Sequence, residues 1–357
     1  MSSRTGKGPA TSTPVADGTV TPLVGLADGD DPLSEPTAGA VLHRVLARSA
    51  RTFLLNDAGI VPGAGRGDLR TVPAPEEPSA GHLADHPSSG GAIVTLDGAP
   101  RRSTEMERIR QSRVACRRIR SNLRTFRLLF DPVWSTSLRA ELSWYADCLG
   151  ELRDLHVLHD TLVSNGPLIV DGDELRTIMA IVDRSIDAAE SQVDHARESD
   201  RYSRLIGQML LLWDGPLLTG KAGKPAETML PELLTRSWRD VRGAARTARK
   251  SHDDGNLHQL RIRIKSFRYG CETAALVEGG PARKTARAAE RLQRRLGDLH
   301  DAGLALGWLD TLADGHPDLA ATADRLAIVE RALAARARKG WKDDLKEVDR
   351  RWRRWQG

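Results

Sequence analysis

Residues 257–272 read LHQLRIRIKSFRYGCE, and residues 109–124 read IRQSRVACRRIRSNLR. In the first stretch His258, Arg261, Lys265 and Arg268 are spaced three, four and three apart. In the second, Arg110, Arg113, Arg117, Arg120 and Arg124 step by three, four, three and four. At about 100° per residue the four positions of the first stretch share roughly 80° of arc, so their side chains leave one face of a helix. Leu260, Ile264, Phe267 and Cys271 fall on another face, which the helix can bury. A single helix of this kind is accounted for by a solvated basic face. Two are harder to explain that way. Gln111 matches Gln259, and Leu149-Gly150-Glu151-Leu152-Arg153-Asp154 matches Leu296-Gly297-Asp298-Leu299-His300-Asp301. From Arg110 to His258 is 148 residues, and from Leu149 to Leu296 is 147. Two separated motifs with one shared offset point to an internal duplication of an all-helical unit, whose recurring basic face serves a common surface.

Composition agrees with an all-α protein. The chain has 357 residues, enough for substantial cores, and only 4% aromatics. No sustained alternating apolar pattern suggests a half-buried sheet. Cys116, Cys148 and Cys271 lie far apart without Cys-x-x-Cys spacing, which favours core residues over a disulfide framework or a zinc knuckle. No run of eighteen apolar residues occurs, and MSSRTGKGPATSTP at the start lacks an apolar signal segment, so a cytoplasmic protein without membrane contact is expected. The net charge of +5 hides segregation: residues 101–127 hold ten arginines against Glu105 and Glu107, while Asp28, Asp30, Asp31 and Glu35 lie in the N-terminal region. Such an arrangement suits a cleft that attracts a polyanion.

Residues 1–36, rich in Ser, Thr, Pro, Gly and Asp, are expected to be a disordered tail. A first helical repeat is expected over 37–218. It starts with a helix at about 38–57 that carries Arg44, Arg48 and Arg51, followed by a Pro- and Gly-rich loop or insertion over 58–103. Thr104 and Glu107 are placed as a capping box for the first ladder helix. TGKAGKPAET, 219–228, separates the copies, and a second repeat runs over 229–357. Each half holds about four helices, the number a bundle needs.

Taken together, the paired elements His/Arg-Gln-x-Arg-[Val/Ile]-x-x-[Arg/Lys]-x-x-Arg and Leu-Gly-[Glu/Asp]-Leu-x-Asp resemble the CHAD family, the conserved-histidine α-helical domain. LLNDAG at 54–59, LPELLTRSWRDVR at 230–242 and ARKGWK at 337–342 resemble family segments in the family's order, so the likeness covers about 37–357. The resemblance implies two four-helix bundles related by internal pseudo-two-fold symmetry, with a basic central groove that binds inorganic polyphosphate. It implies a binding module without catalytic residues or cofactors, often associated with polyphosphate granules and their proteins. In two respects the chain departs from the family pattern. Arg110 stands where the family has its first histidine, while His258 keeps the second. The stretch 58–103 exceeds the family's usual loop, and either covers a mouth of the groove or hangs free.

Polyphosphate is anionic along its length and carries no bases, so its receptor needs cations at regular intervals. Steps of three and four residues rise roughly 5 Å along a helix, and Arg forks grip phosphate bidentately where Lys265 offers a point charge. His258 is read either as a phosphate contact whose protonated form the phosphate favours or as a helix-start hydrogen-bonding residue. Arg239, Arg242, Arg246 and Arg249 form a further stripe that reaches ligand or solvent, as do Arg44, Arg48 and Arg51, and Lys339 and Lys342. Arg118 points away from the ladder, towards a carboxylate partner. Gly150 and Gly297 are read as sites of close helix packing, and Asp154 and Asp301 as supports for ladder arginines. His156 and His159 beside Asp160 lack an apparent third or fourth metal ligand, so no metal is expected. No clustered carboxylates for Mg²⁺, phosphate-gripping glycine loop or activated nucleophile marks an enzyme. The alternatives to polyphosphate are a binder of RNA or DNA backbones, or a scaffold at granule surfaces. With few aromatics and no base-reading motif, sequence-specific nucleic-acid recognition is not expected.

Overall fold

A computed structural model describes residues 36–58, 60–62, 69–71, 99–251 and 253–357, with the side chains of 58, 60–62, 69–71 and 99–104 excepted. The expected N-terminal tail, apart from Pro36, lies outside the described residues, as does most of 58–103. The fold is all-α, with one short addition. Among the described residues the helices are α1 (Ala38–Phe53), α2 (Ala99–Thr125), α3 (Pro132–Asn165), α4 (Gly172–Arg197), α5 (Asp200–Asp214), α6 (Ala226–Ser251), α7 (Asp254–Glu278), α8 (Gly280–Gly315) and α9 (Ala320–Gln356). The addition is an antiparallel pair, β1 (Ile60–Pro62) and β2 (Leu69–Thr71), with Val61 opposite Arg70, inside the stretch read as a loop.

Local chemistry sets many of the boundaries. The side chains of Thr37, Asp131, Asp171 and Ser199 accept from backbone N–H groups at the starts of α1, α3, α4 and α5. Pro132 begins α3, where its missing N–H costs nothing. Gly279, at φ +60°, supplies the left-handed turn that separates α7 from α8. The capping box is corrected: α2 begins at Ala99, so Thr104 lies inside it, and the Glu107 carboxylate instead accepts from Arg110 and Gln111. The first helix ends in a π turn, Leu54–Ala58, which swings Asp57 inward.

Helices α1 to α5 pack as one group, in which α2 touches α1 and α3, α4 lies on α3, and α5 lies on α1. The second group is a succession in which α6 packs on α7, α7 on α8 and α8 on α9. The 219–228 stretch is stitched to the first group, since Ala38 N donates to Lys224 O at 2.9 Å and Thr219 N donates to Leu129 O at 3.0 Å. The groups join chiefly where α2 meets α7. There Thr273 Oγ1 donates to Asn122 Oδ1 at 2.9 Å, Arg118 pairs with Glu272 at 3.4 Å, and Thr125 Oγ1 donates to Ser266 O. Gly270 lets these helices approach, because a Cβ there would stand 2.5 Å from Leu234 Cδ2 and 3.1 Å from Thr125 Cγ2. These contacts fix the register of α2 against α7.

Candidate functional site

On α2, Arg113 Nη1 donates to Leu149 O at 2.9 Å and Gly150 O at 2.7 Å, with Asp154 Oδ1 at 3.9 Å. The glycines of the Leu-Gly-x-Leu-x-Asp motifs thus lie under arginines rather than under a neighbouring helix backbone. A Cβ on Gly150 would meet Arg113 Nη1 at 3.7 Å, and one on Gly297 would meet Arg261 Nε at 3.9 Å. Both are ordinary contacts, so the glycines give room without being sterically required.

Electrostatics place the cations of both ladders in one cluster. Burial pushes Arg113 down to about 10, helped by Arg117, Arg153 and Arg261 and opposed by Asp154, which leaves it charged at neutral pH. Arg261 is lowered by burial and by Arg117, with Asp301 and Asp154 opposing. Lys265 is pushed down to about 6, first by burial and then by Arg261, Arg117 and Arg113, against Asp301. His258 is lowered by burial, Arg261 and Lys265. Two further members were not singled out in the sequence as ligand contacts. Arg153 sits beside Arg110 and Arg113, and His300, whose ring centroid is 4.8 Å from that of His258, is held at about 4 by burial, Arg261 and His258. Their signal was the variable position of the repeated motif, Leu-x-Asp, which puts both residues about one turn after a glycine that lies against a ladder arginine.

The Nε atoms of Arg117 and Arg261 are buried without a hydrogen-bond partner, and Lys265 makes no hydrogen bond or ion pair among the described residues. Cations pressed together and left with unused donors present a receptor for anionic oxygens. Asp154 and Asp301, both raised by burial, sit at the edge of this cluster and support its arginines. Beyond them α3 and α8 enclose a cavity of about 270 Å³ lined by Asp154, Leu158, Asp301 and Trp308. A cleft of about 580 Å³ beside α9 is lined by Arg291, Arg294, Arg295, Glu330 and Arg336. Neither is lined by a ladder cation.

Arg110 is held by Glu107 at 2.6 Å. Arg120 Nη2 donates to Ser143 Oγ at 2.9 Å. Arg124, lowered by burial, Arg139, Arg263 and Arg120, extends the positive surface to the far end of α2, where Asp240 of α6 approaches it. Arg268 is a correction: its guanidinium is only 5% exposed and lies 2.8 Å from Glu272 and 3.4 Å from Glu290. Its charge is neutralised by carboxylates inside the protein, so it is a structural cation. Arg118 pairs with Glu272 as expected. Arg44, Arg48, Arg51, Arg239, Arg242, Arg246, Lys339 and Lys342 are exposed on α1, α6 and α9. His159 faces Asp160 at 3.7 Å and Asp183 at 3.9 Å, and the described residues contain no metal-ligand cluster. No helix among them is long and apolar enough to cross a membrane.

Comparison with known proteins follows this geometry. A family model described as the CHAD domain matches residues 92–310. A curated relative from Mycobacterium tuberculosis, the uncharacterized protein Rv2226, is 27% identical over 286 residues, covering 74% of this chain and 53% of its own length. MT2285, from another strain of that organism, matches equally. The chain therefore spans about half the length of the curated relatives it matches. Among solved structures, PptA from Streptomyces chartreusis superposes with a TM-score of 0.60 at 19% identity, over 87% of this chain and 99% of that one. The CHAD domain from the plant Ricinus communis superposes with a TM-score of 0.62 at 19% identity, over 90% and 95%. At such identities the likeness is one of fold.

Proposed function

Since the chain belongs to the CHAD domain family, we propose that its paired basic helices bind inorganic polyphosphate in a groove between two bundle halves related by pseudo-two-fold symmetry. The observation that carries this reading is the meeting of Arg113 and Arg117 of α2 with Arg261 and Lys265 of α7, with donors left unused. Like charges crowded in a half-buried place disfavour the empty state, and a polyanion relieves the repulsion at several points at once. Arg113, Arg117, Arg153, Arg261, Lys265, His258 and His300 form the centre. Arg110, Arg120 and Arg124, with Arg139 and Arg263, lead the chain outwards. The protein acts as a binding module rather than an enzyme, in the cytoplasm at polyphosphate granules, with granule proteins as neighbours.

The test is calorimetric titration with long-chain polyphosphate and, in parallel, charge-matched duplex DNA and tRNA at two salt concentrations. Polyphosphate binding is expected to persist at the higher salt while the nucleic acids weaken along the steep salt dependence of backbone-only contacts. Equal binding to all three would reduce the groove to a general basic surface.

A further inference from the structure

Away from the ladders, α3, α8 and α9 line the cleft of about 580 Å³, and Glu330 of α9 forms part of its wall. Glu330 is only 6% exposed, yet its carboxyl has no hydrogen-bond or ion-pair partner among the described residues. Burial alone pushes that carboxyl up. A buried carboxyl without donors costs stability unless something else supplies them. The wall around it is apolar, with Val157 of α3, Ala302 of α8 and Leu333 of α9. Arg336 follows Glu330 by six residues, about 9 Å along the helix, and Arg294 of α8 lines the same cleft. Neither guanidinium makes a hydrogen bond or an ion pair among the described residues, although Asp298 is an electrostatic neighbour of Arg294. Arg295, by contrast, is taken up by Asp344 at 2.6 Å, and Arg291 lies 4.0 Å from Glu347. The lining holds four arginines and four carboxylates in all, so it does not draw a long polyanion as the ladders do. It suits a small ligand with hydrogen-bond donors at one end and an anion at the other.

We propose that this cleft binds a guanine nucleotide, with the base between the apolar walls, its N1–H and N2 amine donating to Glu330, and its phosphate between Arg294 and Arg336. An ionised carboxylate can only accept, and its two oxygens match two adjacent donors. Guanine presents such a pair on one edge, whereas adenine and cytosine present a donor beside an acceptor. The span from Glu330 to Arg336 is one that a nucleoside monophosphate covers between the edge of its base and its phosphate. Guanidinium forks grip that phosphate from α8 on one side and α9 on the other. Binding supplies the donors that Glu330 lacks and the anion that the two arginines lack. No ladder cation takes part, so the site is separate from the polyphosphate groove.

The full chain would be titrated calorimetrically with GMP, IMP, AMP, guanosine and inorganic phosphate. Saturable binding of GMP is expected, at least about tenfold tighter than that of AMP, which sets an acceptor against the carboxylate, and of guanosine, which lacks the phosphate. IMP, short of the N2 amine, should fall between GMP and AMP. Glu330→Gln keeps the shape of the side chain and should abolish the preference for GMP over AMP while leaving polyphosphate affinity unchanged. Arg336→Met, at an exposed position, should bring GMP down towards guanosine. Equal binding of GMP and AMP, a preference for GMP that survives Glu330→Gln, inorganic phosphate binding as tightly as GMP, or no binding of any nucleotide overturns the proposal. Polyphosphate binding retained in any of these cases leaves the reading of the ladders intact.

Discussion

In α2 three of the ladder arginines are held in place, Arg110 by Glu107, Arg113 by the carbonyls of Leu149 and Gly150, and Arg120 by Ser143, while the buried Nε of Arg117 lacks a hydrogen-bond partner among the described residues. In α7 the corresponding run is arranged otherwise. His258 lies against His300, the buried Nε of Arg261 lacks a hydrogen-bond partner among the described residues, and Arg268 is taken up by Glu272 and Glu290. The halves also close their cores differently. In the first, Asp57 accepts from Tyr145 and Tyr202 at 2.6 Å each and pairs with Arg197 at 3.3 Å. In the second, Trp238, Phe267 and Trp352 form an aromatic cluster with centroids 5.0, 5.3 and 6.5 Å apart. The lesson is that the two ladders share a spacing of charge but not its chemistry: α2 supplies arginines alone, and α7 adds an imidazole and an amine, groups that titrate.

The sharpest way to break the comparison is at the two closures. Asp57→Ala leaves Arg197 and two tyrosine hydroxyls without their acceptor and should cost about 3 to 4 kcal/mol. Trp352→Ala should cost about the same through lost burial and a cavity. Urea denaturation of both variants checks this, and a loss under about 1 kcal/mol at either site would remove that closure from the account.

Next in size is the joint role of the ladders in binding. Arg117→Glu with Lys265→Glu should weaken polyphosphate binding at least about a hundredfold, whereas Arg283→Glu with Lys284→Glu, both exposed on α8, should change it little. The terminal arginines are poorer controls, because Arg338 pairs with Asp254 and Arg336 lines the cleft beside α9. Comparable losses from both double variants would refute a localised groove.

Proton linkage should be smaller and confined to the second copy. Lys265 is held near 6 in the empty protein, against about 10.4 for an unfolded lysine. Between these values the unfolded chain binds the extra proton, so the empty protein gains stability as pH rises through that window. Phosphate reverses the preference by restoring the charged amine. Affinity should therefore fall by up to about tenfold per unit as pH rises above 6, with proton uptake visible as a buffer-dependent binding enthalpy. Lys265→Arg, which makes the second copy like the first, should flatten the profile. His258→Ala should act mainly below neutrality, and equal losses at high and low pH would exclude a proton-linked role for that residue.

The smallest effect concerns Gly340 of the ARKGWK segment. A Cβ there would overlap the Arg295 guanidinium, so Gly340→Ala must displace that side chain from Asp344. The pair is partly exposed, and the expected cost is about 1 kcal/mol or less, seen as a small shift of the melting temperature with polyphosphate binding unchanged.

The sequence by itself determined the helical class and the two ladders, because helical periodicity is a property of spacing alone. It also carries a signal for Arg268, since Glu272 lies one turn further along the same helix. Arg153 and His300 were legible only as variable positions within a repeated motif. Other features were decided by tertiary structure. Glu290 reaches Arg268 from a separate helix, and Asp57 meets Tyr145, Tyr202 and Arg197 over 88 to 145 residues of chain. Burial and neighbouring charge, which spacing along one helix does not encode, made Arg268 a structural ion and push the Lys265 amine down to about 6.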